Sequence, residues 1–195
     1  AYGVLLGISL LVGLQLVLYI GKRKSGLSEA VLGNAVLVSV VSGLLGARLL
    51  YVFENREAIA ESGARWFDLS SGGATAYGGF LGGLLGAAGY LATQRASLLA
   101  FADAAAPALA AGTGITRIGC YLYGSDFGTR LSETAPHWLK QLGTFPRWHH
   151  EALSLYGSPV FLFHVERYAI DAKAEMSLPV HPTQLYESLF GFVLL

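Results

Sequence analysis

The sequence predicts an all-α integral membrane protein: a multi-helix transmembrane bundle with a small extracytoplasmic head. Three observations carry that expectation. Of the 195 residues, 53% are hydrophobic and 13% charged, where a soluble domain carries about 25% charge. With a mean hydropathy of +0.51, the polar surface is too small to cover a soluble globule. Apolar runs recur near the length of about 20 residues that spans a bilayer. Short basic stretches separate some of these runs, and such stretches orient a membrane protein.

The first run is Tyr2 to Ile20, followed at once by Lys22, Arg23 and Lys24. The second, Val31 to Phe53, carries Arg48 near its far end. The third, Ala76 to Ala92, is rich in glycine. The fourth, Leu98 to Ile118, is rich in alanine, with Pro107 central and Arg117 at its end. A fifth opens at Thr183 and continues to Leu195. Both ends of the chain lie inside apolar runs, so it reads as a piece of a longer protein. The expected organisation is helices one to four over 1–120, a head over 121–180 and the start of helix five over 181–195. Lys22 to Lys24 and Arg95 lie in short loops that the positive-inside rule assigns to the cytoplasm. The N-terminus, the Glu54 to Thr75 loop and the head then face outward.

Tyr121 to Val180 holds Pro136, Pro146, Pro159 and Pro179, several charges and four of the five histidines. Trp138, Phe145 and Trp148 suit either the lipid headgroup level or the core of a small loop domain. Val160 to Val165 reads as a short strand, although Pro159 and its brevity argue against that. Lysine plus arginine and aspartate plus glutamate both number 13, so no basic field points to nucleic acid. Cys120 is the one cysteine, which excludes an intramolecular disulfide. His149, His150 and His164 have no cysteine or carboxylate cluster at ligand spacing, so neither metal nor cofactor is expected.

Gly78, Gly82 and Gly86 share one face of the third helix, with Gly79 and Gly83 beside them. Small residues four apart let helix backbones approach closely in lipid. Gly78 and Gly79 also stand at the outer helix N-terminus, where backbone N–H groups and the helix dipole favour a phosphate. An arginine inside a membrane helix is costly unless it snorkels or is paired. Arg48 and Arg117 therefore either reach the outer headgroups or clamp a phosphate with the planar guanidinium fork. In His181-Pro182-Thr183-Gln184-Leu185-Tyr186-Glu187, Pro182 suits a first helical turn. His181 then falls near the N-cap, and Gln184 can reach back to the helix start. Glu187, one turn deeper, needs a cation, and Arg48 or Arg117 is the natural partner.

These motifs together resemble the bacterial prolipoprotein diacylglyceryl transferase family over most of the chain. Tyr2-Gly3 resembles its aromatic-glycine start. Gly46-Ala47-Arg48-Leu49-Leu50-Tyr51 resembles its Gly-x-Arg-Leu-x-Tyr segment. Tyr77-Gly78-Gly79 resembles its His-Gly-Gly segment, and Arg117-Ile118-Gly119 its Arg-Ile-Gly signature. His181 to Glu187 resembles its His-Pro-Ser/Thr-Gln-Leu-Tyr-Glu segment. Tyr77 stands where that family has histidine, Cys120 where it has asparagine, and Tyr123-Gly124-Ser125 where it has Asn-Gly-Glu.

The resemblance implies about seven membrane helices in the bacterial inner membrane, a periplasmic N-terminus and head, and no cofactor. It implies transfer of the diacylglyceryl group of phosphatidylglycerol to the lipobox cysteine of a preprolipoprotein signal peptide. Tyr77, Arg117 and Glu187 are the expected catalytic residues. Tyr2, Arg48, Gly78, Gly79, Arg117, Gly119, His181, Gln184 and Tyr186 are the expected phospholipid contacts. A phenol ordinarily titrates near about 10, so Tyr77 serves as a base for the thiol only beside a cation; otherwise it hydrogen-bonds the lipid. Two other readings stand beside this one. One is a phospholipid-binding relative without activity. The other is a small-solute transporter, for which no inverted repeat is visible.

Overall fold

The computed structural model describes residues 2–24, 26–57, 59, 73–150 and 155–195. Helices dominate: α1 (Tyr2–Lys24), α2 (Glu29–Glu54), α3 (Ala76–Thr93), α4 (Leu98–Tyr123), α5 (His137–Leu142), α6 (Pro159–Tyr168) and α7 (Thr183–Val193). The two-residue strands β1 (His149–His150) and β2 (Leu155–Tyr156) pair antiparallel. Among the described residues, three helices are long and apolar enough to cross a membrane: Gly3–Lys24, Glu29–Glu54 and Leu98–Tyr123. At 1.5 Å per residue, α3 is about 27 Å long, and its glycines dilute its hydropathy below that of the other three. The expected fifth run is helical for 11 residues.

The chain divides into two compact units, one of residues 14–106 and one of residues 1–13 with 107–195. In the first, α1 ends in Lys22, Arg23 and Lys24, cations that suit the negative end of the helix dipole. The Lys22 Nζ reaches the Glu29 Oε2 at 2.7 Å across the turn. The Ser28 hydroxyl caps α2 by accepting the Val31 N–H at 3.3 Å, satisfying one of the helix's orphan donors. Glycines then set the contact of α2 with α3. A Cβ on Gly46 would run into the Gly78 carbonyl and stand 2.9 Å from the Gly82 Cα. On Gly43 it would stand 3.1 Å from the Gly79 carbonyl.

In the second unit, α4 and α7 also cross at glycine. A Cβ on Gly191 would meet the Ala110 carbonyl at 2.8 Å. The Ser188 hydroxyl donates to the Gly114 carbonyl at 2.7 Å, and the Ser9 and Thr116 hydroxyls lie 3.0 Å apart. Pro107 is accommodated inside α4. This helix runs to Tyr123, past the expected end at Ile118, and Gly124 stops it with φ +80. That left-handed conformation is one glycine adopts at little cost.

The head follows, around a core of Phe145, Val160 and Val180 with Tyr121 and Phe127 against it. The sequence expectation of a strand at Val160 to Val165 is corrected, because these residues form α6. Ser158 caps that helix through the Phe161 N–H, Pro159 occupies its first turn, and Val160, Phe161 and His164 form its buried face. The apolar residues recur at helical rather than alternating spacing. Phe145 is buried, Trp138 is exposed, and Trp148 lies 5.8 Å from the Tyr123 ring.

Candidate functional site

The most informative geometry surrounds Arg117. In α4 it lies six residues before the helix end at Tyr123, and its side chain is 31% exposed. Its Nε meets the Glu187 Oε2 at 2.5 Å, and its Nη1 faces the Asp126 Oδ2 at 3.5 Å. Arg117 is thus a partner of Glu187, as the sequence suggested. Sequence reasoning missed Asp126. Its signal was the Gly124-Ser125-Asp126 turn, which folds the chain back toward the last turn of α4. Asp126 itself has φ 55, a left-handed conformation that aspartate tolerates better than most residues.

The start of α7 is built against the same turn. The Thr183 hydroxyl donates to the Asp126 carbonyl at 2.7 Å, and the Gln184 Nε2 donates to the Ser125 carbonyl. The Gly128 N–H donates to the His181 carbonyl and the His181 N–H to the Thr129 carbonyl, each at 2.9 Å. The Leu131 N–H donates to the Pro179 carbonyl at the same distance. Pro182 is the N-cap and α7 begins at Thr183, one residue later than the sequence suggested. Gln184 is fully buried and turns to the Ser125 loop rather than back to its own helix start. The His181 Nδ1 lies 3.3 Å from the Tyr186 hydroxyl. Gly119 is buried two residues beyond Arg117.

In the other unit, Arg48 is buried at 8% exposure. Its Nη1 donates to the Gly73 carbonyl at 3.1 Å, and its guanidinium carbon lies 5.5 Å from the centre of the Tyr51 ring. A carbonyl and an aromatic face thus stabilise this cation within the helix pair. Tyr77 is 81% exposed at the start of α3. Gly78 is buried against Gly46, and the Gly79 N–H already donates to the Thr75 carbonyl at 3.1 Å. The structure therefore gives Gly78 a packing role. Tyr2 opens α1.

With three helices among the described residues long and apolar enough to cross a bilayer, the fold is that of an integral membrane protein. The chain matches the family model described as prolipoprotein diacylglyceryl transferase over residues 1–195, and it belongs to that family. The phosphatidylglycerol–prolipoprotein diacylglyceryl transferase 2 of Clostridium perfringens (strain 13 / Type A) is 27% identical over 194 residues, covering 100% of this chain and 64% of that protein. The transferase of Clostridium tetani is 26% identical over 195 residues, covering 99% and 65%. That of Clostridium botulinum (strain Langeland) is 27% identical over 193 residues, covering 98% and 65%. The chain spans just under two thirds of the length of these relatives.

Proposed function

We propose that this protein is a transferase that moves the diacylglyceryl group of phosphatidylglycerol to the lipobox cysteine thiol of a preprolipoprotein. The family match across the whole chain carries this reading, and the names of the relatives supply its substrates. In the step, the cysteine sulfur attacks the glyceryl carbon that bears the phosphate. A C–S bond forms, the C–O bond breaks, and the electron pair leaves on the phosphate oxygen of glycerol phosphate. The thiol proton passes to a base or to solvent.

Arg117 holds the phosphate and steadies its growing charge, because preorganised donors stabilise charge where it develops. Arginine suits this role through its planar fork of donors, and charge-assisted bonds are roughly twice as strong as neutral ones. Glu187 orients the fork from its Nε side, as the 2.5 Å contact supports. His181 and Tyr186 frame the lipid from the same unit, while Gly119 and Gln184, both buried, enter the proposal on their motifs. Tyr2, Arg48, Gly78 and Gly79 enter the proposal on their motifs alone. We place the protein in a bacterial inner membrane, with the N-terminus and the head over 121–180 in the periplasm.

The test is transfer of labelled diacylglyceryl from phosphatidylglycerol to a lipobox peptide in membranes carrying the full-length protein. Arg117→Ala should abolish transfer. Arg117→Lys, which keeps charge and loses the fork, should leave a weakened enzyme. Wild-type binding and transfer by Arg117→Ala would end the reading. A second reading, a phospholipid-binding relative without activity, is favoured by Tyr77 at the position of the family's histidine. Transfer by the wild-type protein excludes it, and loss of transfer in Tyr77→Phe would show that the phenol hydroxyl takes part.

A further inference from the structure

The geometry points to Asp126 as a positioning residue for Arg117, the second of two carboxylates that flank the guanidinium. The inference rests on the proposed role of Arg117 as the phosphate ligand. Three contacts and one turn of α7 close a ring. The Arg117 Nε meets Glu187 at 2.5 Å and its Nη1 faces Asp126 at 3.5 Å. The Asp126 carbonyl accepts the Thr183 hydroxyl at 2.7 Å, and Thr183 lies one helical turn before Glu187 on α7. The Ser125 hydroxyl donates to the Asp126 Oδ2 at 3.2 Å, which steadies the carboxylate. Both anions that flank the arginine are therefore held by the first turns of α7, and a shift of that helix moves them together.

A guanidinium offers five N–H donors in a rigid plane. Glu187 lies 2.5 Å from Nε and Asp126 3.5 Å from Nη1, so the two anions draw the guanidinium toward themselves from adjacent sides. The left-handed backbone at Asp126, φ 55, aims its side chain back at α4 while its carbonyl faces α7. Ser125, one residue earlier, turns its own carbonyl to Gln184. The carboxylate of this turn thus sits at 126, one position beyond the glutamate of the family's Asn-Gly-Glu pattern.

Asparagine also tolerates the left-handed region and retains the carbonyl that Thr183 uses. Asp126→Asn therefore removes the charge and little else. Its side chain is 55% exposed and the ion pair is long, so the effect is that of a partly exposed pair. The KM for phosphatidylglycerol should rise about three- to fivefold, with kcat falling by a smaller factor, because Arg117 itself remains to steady the departing phosphate. Adding Ser125→Glu to Asp126→Asn returns a carboxylate one residue upstream and should bring the KM back toward wild type. A KM that is unchanged or lower in Asp126→Asn overturns the inference, and so does failure of the added carboxylate to restore it. Arg117→Ala run beside them separates the two ideas. If it binds phosphatidylglycerol as wild type does, the phosphate-ligand reading fails. If it loses binding while Asp126→Asn does not, only the positioning role fails.

Discussion

Replacing Gly46 by alanine should force α2 and α3 apart. The new Cβ would run into the Gly78 carbonyl and stand 2.9 Å from the Gly82 Cα. Both obstacles are backbone, so no side-chain rotation relieves them and the helix axes themselves must separate. Overpacking of this kind costs about 1–3 kcal/mol. Each kcal/mol lowers the Tm of a protein of this size by about 2–4 °C. The apparent Tm of detergent-solubilised Gly46→Ala should therefore fall by about 2–12 °C. Gly89→Ala is the matched control: it lies in the same α3, and nothing stands within 4 Å of its added Cβ. Alanine exceeds glycine in helix propensity by about 1 kcal/mol, so this variant should hold or gain stability. A Gly46→Ala protein as stable as wild type would refute the close crossing. Equal losses in both variants would show that the added methyl acts by some route other than the contact.

Glu187→Gln keeps the shape of the side chain and removes the partner of the Arg117 Nε; transfer should fall on the order of tenfold or more, while the apparent Tm changes little because the pair is partly exposed. Full activity in that variant would remove Glu187 from the mechanism. Burial holds the His164 imidazole below its ordinary value, and the nearby Arg130 cation adds to the effect. The unfolded chain then takes up the proton at higher pH than the folded head does, so stability is fully present above about 6.5 and declines as pH falls below it. His164→Phe should flatten the dependence of apparent Tm on pH between about 7.5 and 5; identical slopes in the two proteins would dismiss it. Single cysteines placed near Lys24 or Arg95 should react with a membrane-impermeant reagent only in opened cells, and one near His149 in sealed spheroplasts, with the opposite pattern overturning the proposed orientation.

The parts of the fold legible in the sequence are those governed by composition and local pattern. Tyr2 to Lys24, the run ending at Glu54 and the stretch from Leu98 to Tyr123 are helical because twenty-odd apolar residues without a polar alternation have few other solutions in a bilayer. The glycine face of α3 was readable for the same reason, since small residues four apart announce a close crossing. The head was less legible. Val160 to Val165 is short enough to pass for a strand, and the arbiter was the Ser158-Pro159 start, a local helix signal outweighed by the apolar run. At the site, Arg117 and Glu187 were singled out because each is costly alone in an apolar helix, and cost implies a partner. Asp126 carried no such signal. It lies in a polar turn where an aspartate needs no explanation, and only the left-handed bend after Gly124 aims it at the arginine. The asymmetry is general to this chain: charges buried in apolar sequence declare themselves, whereas a charge in a turn acquires meaning only when the backbone direction is known.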